Sequence, residues 1–252
     1  KQTYWGKHKD KLGEGNRERP PHIEIDAQQK SAFEEGRVLL IDKELHWTSF
    51  DVVRKIRSSI RIKKVGHAGT LDPLATGLLI VCTGKFTKKI NEYMAQEKEY
   101  TGSFTLGAST PTYDLESEPQ DFKDISAITA AAIKAAVTGF VGEIQQYPPV
   151  YSAIKKDGVA LYELARRGTE VELQARTITI KELEISSIEM PDVHFRVVCS
   201  TGTYIRSLAH DVGKVLGCGA YLSSLRRTRI GNFNVADALT MEAFTTSLKK
   251  DS

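Results

Sequence analysis

The stretch Gly66-His67-Ala68-Gly69-Thr70-Leu71-Asp72-Pro73-Leu74-Ala75-Thr76-Gly77 holds one carboxylate in a turn between three glycines and very little else that could react. Gly66, Gly69 and Gly77 allow backbone conformations and close approaches that a Cβ forbids. Pro73 pushes Asp72 out of the α region toward an extended conformation. Asp72 is therefore expected to project from a rigid loop, where a carboxylate can act as a nucleophile or base. The same Asp-Pro step suits a helix start, with Asp72 as N-cap and Pro73 opening a short helix that ends at Gly77. Both readings stand, because a capping aspartate can still direct one oxygen into a cleft.

The elements that must hold this loop can be read on either side of it. Arg37 to Asp42 is a buried strand, and Thr48-Ser49 caps a helix running through Val52, Val53 and Ile56. Leu78 to Cys82 is a second apolar strand, which puts Asp72 on a helix-to-strand connection. Further strands are expected over 99–106, 177–188 and 194–200, with a last strand region over 220–230. Helices are expected over 126–137 and, closed by Gly217, over 203–215. A third helix carries Leu161, Leu164 and Ala165 and ends at Gly168, and 107–124 reads as loop. Strands and helices mix without βαβ alternation, so the class is α+β rather than a doubly wound sheet. Residues 1–36 are polar and lack a sustained apolar period, which marks an N-terminal extension ahead of a domain over 37–252.

Composition is that of an ordinary globular protein, 40% hydrophobic and 27% charged, with no apolar run of membrane-spanning length, and a secretory leader is not expected. A cytoplasmic location is the expectation. Cys82, Cys199 and Cys218 form no Cys-x-x-Cys pair and read as buried thiols, not disulfides or zinc ligands. Net charge is only +3, but its distribution is uneven. Residues 54–64 hold six basic side chains and no acidic one, just before the Asp72 loop; Lys85, Lys88 and Lys89 follow it, and Arg226, Arg227 and Arg229 cluster later. Each cluster alone is an ordinary solvated face; together they suit a polyanion such as RNA.

Five segments carry a resemblance to a known family: Gly66 to Leu79; Lys98-Glu99-Tyr100; Tyr147-Pro148-Pro149-Val150-Tyr151-Ser152-Ala153-Ile154-Lys155; Cys199-Ser200-Thr201-Gly202-Thr203-Tyr204-Ile205-Arg206; and Leu225-Arg226-Arg227. In this order they resemble the pseudouridine synthases that modify uridine 55 in the TΨC arm of tRNA. The resemblance implies a bent, largely antiparallel central sheet flanked by helices, with an active-site cleft across its middle. The small PUA-type domain that many of these enzymes carry is expected to be absent, since only about twenty residues follow Phe233.

The resemblance also implies roles. Asp72 is the catalytic carboxylate. Arg206 is the cation that favours its charged form, with phosphate binding as the alternative for a lone arginine. Tyr100 stacks on the target base, Tyr204 and Leu225 line the uridine site, and His67 fills the space the flipped base leaves. Lys43, Arg61, Lys63, Lys64, Lys88, Arg226 and Arg227 are candidate contacts to the RNA backbone. At Lys43 relatives usually have proline next and a glycine before the Thr-Ser pair, whereas this chain has Glu44 and Trp47, which leaves the turn and the role of Lys43 open. The reaction needs no redox change, so neither a cofactor nor a metal is expected; the partner is the T-arm stem-loop of tRNA and the protein is read as a monomer. A guide-RNA-dependent enzyme of the same superfamily, or an RNA-folding chaperone or binding module without catalysis, are the rival readings.

Overall fold

The computed structural model describes residues 25–248. In chain order the elements are α1 (Ala27–Glu35), β1 (Val38–Lys43), α2 (Ser49–Ile60), β2 (Val65–Ala68), β3 (Ala75–Thr83), a 3-10 turn (Gly84–Lys89), α3 (Ile90–Met94) and β4 (Lys98–Leu106). There follow α4 (Ala130–Thr138), β5 (Gly142–Gln146), the short hairpin β6 (Lys155–Lys156) and β7 (Val159–Ala160), α5 (Leu161–Arg166), β8 (Arg176–Glu189) and β9 (Asp192–Cys199). The chain closes with α6 (Ile205–Leu216), β10 (Ala220–Ile230), β11 (Phe233–Asn234) and α7 (Met241–Ser247). Two compact units form, one of 25–100 with 225–248 and one of Thr101–Ser224.

In the first unit everything is organised on β3. β1 runs antiparallel along it from Val38 opposite Cys82 to Lys43 opposite Gly77. The other flank is divided: β10 pairs in parallel over Ala75, Thr76 and Gly77, and β2 pairs antiparallel from Ala68 opposite Ile80 to Val65 opposite Thr83. Alternate β3 side chains point to opposite faces, and both faces are covered. Leu79 and Val81 join Ile41, Val52, Val53, Ile56 and Ile60 with Met241 and Phe244 of α7. Leu78, Ile80 and Cys82 join Ala68 and Ile230, with Phe86, Ile90 and Phe233 packed beside them. A strand buried on both faces is near-continuously apolar, which is why 78–82 is legible in the sequence.

The second unit is an antiparallel sheet in which β4, β9, β8 and β5 are neighbours in that order. Its apolar face packs under α6, where Phe104, Val137, Phe195, Leu208 and Val212 line a small cavity. Gly217, at φ 73, ends α6 in the left-handed conformation that a helix C-terminus favours.

Within the polar extension read over 1–36, residues 27–35 form α1, capped by Asp26, with Phe33 edge-on to Phe244; residues 1–24 lie outside the described residues. Two expectations need correction. Asp72 does not follow a helix: β2 intervenes, so the loop joins two antiparallel strands. No short helix runs to Gly77 either, because Ala75 N donates to Asp72 O (2.9 Å) in a tight turn and β3 begins at once. The four-residue β2 carries two glycine-flanked positions and too little alternation to register as a strand before its partner is known. The three cysteines are buried, as expected of them.

Candidate active site

The loop carrying Asp72 is held at every second residue. Arg227 Nη2 donates to Gly69 O (3.0 Å). Ser49 Oγ, at the start of α2, accepts from Leu71 N (2.9 Å) and donates to Leu71 O (3.2 Å). His46 N donates to Pro73 O (2.8 Å). Asp72 therefore sits between two anchored residues, half-buried. Gly69 and Gly77 take φ +92 and +104, a region side chains rarely adopt, and at Gly77 a Cβ would lie 2.2 Å from Arg227 O. Gly77 is thus required by the parallel approach of β10 as well as by its own dihedral angle.

Two buried cations lie beneath the loop. Lys43, fully buried, donates from Nζ to Glu44 O (3.0 Å) and Trp47 O (2.6 Å). Burial lowers its pKa to about 8; Asp72 pulls against that shift, and Arg227 adds to it. Lys43 therefore grips the backbone carbonyls of Glu44 and Trp47 and holds the turn between them, whatever side chains those two positions carry. Arg227 is as deeply buried, with Nε donating to Leu78 O (2.8 Å), at the point where β3 passes from β10 to β2. His67 is half-buried on β2, and burial together with the Arg227 charge holds its imidazole below the usual pKa, hence neutral. Tyr100 is buried on β4 and Leu225 half-buried opposite Ala75.

The basic residues separate into two kinds. Arg61, Lys63, Lys64 and Lys88 are exposed and free to meet phosphates. Lys43 and Arg227, expected among the RNA-backbone contacts, are instead buried, with their bonds going to protein carbonyls, and a cation enclosed in this way does not present its charge to a phosphate. Arg226 is intermediate, half-exposed but paired two-pronged with Asp42 (3.0 and 2.8 Å).

In the second unit Tyr204 occupies the N-cap position of α6 and Arg206 its first turn. Gln146 grips Tyr204 by both backbone groups: Tyr204 N donates to its Oε1 (2.8 Å) and its Nε2 donates to Tyr204 O (3.1 Å). Ser207 Oγ donates to Tyr147 O (2.7 Å), tying the same turn to the residue after Gln146. Arg206 is buried and donates from Nη1 to Thr112 O (3.1 Å) and Tyr151 O (2.9 Å). Thr110 and Thr112 both donate to the carbonyl of buried Asp114. Sequence reasoning missed Ser49 and Gln146 as residues that position the site. Gln146 directly precedes the Tyr147-Pro148-Pro149 match, and that adjacency was the available signal.

Solved structures share this fold. A Cbf5-Nop10-Gar1 complex superposes with a TM-score of 0.67 at 31% identity, covering 92% of this chain and 60% of that one. An H/ACA RNP bound to a substrate RNA containing 2′-deoxyuridine gives 0.65 at 28%, again with 92% and 60% covered. The chain thus spans about three fifths of the solved chains it resembles. The model for the N-terminal domain of TruB family pseudouridylate synthases matches residues 57–205, and that for the tRNA pseudouridylate synthase B C-terminal domain matches 206–251. The tRNA pseudouridine synthase B of Flavobacterium johnsoniae is 54% identical over 222 residues, 85% of this chain and 97% of the relative. That of Phocaeicola vulgatus is 50% identical over 218 residues, 84% and 93%. The chain belongs to the TruB family of pseudouridylate synthases.

Proposed function

We propose that this protein converts uridine to pseudouridine at position 55 in the TΨC loop of tRNA. The bond from C1′ to N1 is broken, the uracil turns, and C1′ joins C5; N1 ends with a proton and C5 loses one, so atoms balance without an oxidant. Asp72 is the group that acts on the nucleoside. The observation that carries this role is the threefold anchoring of its loop at Gly69, Leu71 and Pro73, since a reacting group held in fixed geometry needs no ordering at the moment of reaction. Tyr100 stacks on the base, Leu225 and Tyr204 meet the uridine, His67 takes the place of the base in its stack, and Arg206 serves as a fixed cation. The substrate leaves a folded arm to react, which costs a few kcal/mol, and a neutral His67 is better suited than an imidazolium to fill an apolar gap between bases. Relatives at about half identity are named for action on tRNA, which supports the same substrate here.

The test is incubation of the purified protein with an unmodified tRNA transcript, followed by carbodiimide treatment and reverse transcription to map pseudouridine. Conversion at position 55 is expected, lost in Asp72→Asn while RNA binding survives. A wild-type protein that converts nothing, or an Asp72→Asn variant that converts normally, would overturn the assignment. Conversion only after a guide RNA is added would favour the guide-dependent alternative.

A further inference from the structure

α2 presents two unlike faces. Ser49, Val52, Val53, Ile56, Ser59 and Ile60 are buried against β3 and α7. Opposite them, Phe50 and Arg54 are four residues apart and lie at nearly the same angle around the helix, and Arg61 follows its last residue. Phe50 is 61% exposed, the side chain of Arg54 68%, and Arg61 is exposed where the helix ends in a left-handed turn. Arg57, also near this angle, is turned toward β2 by a bond to Val65 O. Lys63 and Lys64 continue the exposed charge beyond the helix.

A single exposed aromatic side chain is ordinary. Phe50 differs in its position: it follows Ser49, whose hydroxyl bridges both backbone groups of Leu71, and Asp72 follows Leu71. The ring therefore stands one residue beyond one end of the bridge, and the acting carboxylate one residue beyond the other. It is fixed there by the capping box between Thr48 and Asp51 and by the Lys43 grip on the preceding turn. From Phe50 to Arg61 the helix advances about 16 Å, with cations at its far end. The pairing of Arg54 with Asp51 at 2.9 Å on this face is exposed, and such pairs contribute little.

We infer that the outer face of α2 is a track for the RNA strand beside the target uridine, with Phe50 stacking on a neighbouring base and Arg54 and Arg61 taking phosphates. This rests on the proposed function and adds to it a base contact outside the site of reaction. Aromatic side chains stack on any base, because every base has a π-face, so the contact supplies affinity without reading sequence. It also offers the neighbour a surface to replace the stacking lost when the uridine leaves.

The test uses the T-arm stem-loop RNA with 2-aminopurine placed in turn on each side of the target uridine. Binding of the wild-type protein should quench one of the two probes, and Phe50→Ala should leave that probe bright while Phe50→Tyr restores the quench. Phe50→Ala should weaken the Kd by about five- to 150-fold, the range for loss of one stacked base. Arg54→Ala and Arg61→Ala should each shallow the dependence of log Kd on log salt by about 0.7. Equal quenching by Phe50→Ala and wild type, or quenching of neither probe by the wild type, would overturn the track. The probe reads binding without turnover: absence of uridine conversion by the wild type refutes the proposed function, whereas conversion with Phe50 having no effect refutes only the track.

Discussion

Arg227→Met separates an internal brace from an RNA contact. The guanidinium is 1% exposed and gives two bonds, to Leu78 O at 2.8 Å and Gly69 O at 3.0 Å. Hydrogen bonds from charged donors contribute about 1.5–3 kcal/mol each, so the two are worth roughly 3–6 kcal/mol gross. Methionine fills similar space and removes the cost of keeping a charge out of water, which offsets part of that. A net loss of about 3 kcal/mol is expected, and for a chain of this size it lowers Tm by roughly 6–12 °C. Thermal unfolding followed by circular dichroism measures it. In parallel, RNA affinity of the folded variant across a salt series should keep the wild-type slope, because no phosphate contact has gone. The same charge holds the His67 imidazole down, so the variant should show a raised His67 pKa in the ring-proton NMR titration. A Tm within about 2 °C of wild type, together with a salt slope shallower by about 0.7, would show that Arg227 faces the RNA and that the bracing argument is wrong.

Gly77→Ala puts a Cβ 2.2 Å from Arg227 O at a φ of +104; backbone strain of about 1–3 kcal/mol plus disrupted parallel pairing should cost at least about 3 kcal/mol in urea unfolding, and a loss under about 1 kcal/mol would count against the close approach. Lys43 has a folded pKa of about 8 against an ordinary lysine value of 10.5, so between those values the unfolded chain holds a proton the folded one lacks. Stability from this group is then fully present above the unfolded pKa and lost as pH falls to the folded one, about 3 kcal/mol in all. Urea unfolding of wild type and Lys43→Met at pH 7 and pH 10 should show the wild type gaining on the variant as pH rises; a constant difference would remove the basis for a charge buried at cost. Gln146→Leu deletes both bonds to Tyr204 and should lower kcat at least about tenfold, equivalent to about 1.4 kcal/mol, with little change in KM. Gln146→Glu, which keeps the acceptor for Tyr204 N, should fall between, and wild-type turnover in Gln146→Leu would refute a positioning role.

Several features were open to reading from the chain alone because they depend on neighbours in sequence. The α2 cap is visible in Thr48-Ser49, its buried stripe in Val52, Val53 and Ile56, and the end of α6 in Gly217. Asp72 stood out because the glycines around it permit turns that other residues resist, and two of them do take positive φ. Element boundaries shifted where a partner strand extends pairing beyond the apolar run, as at β3, which begins at Ala75 rather than Leu78.

Which cations face water was beyond that reach. Arg226 and Arg227 are adjacent and chemically identical in sequence, yet one pairs with Asp42 near the surface and the other is enclosed, because successive residues of a strand point to opposite faces. The bond from Arg227 to Leu78 joins residues 149 apart, and that from Gln146 to Tyr204 joins residues 58 apart. Local composition and period set what each segment can become. Whether a charge is a phosphate contact or a brace is settled by desolvation, and desolvation depends on which distant strand comes to lie alongside.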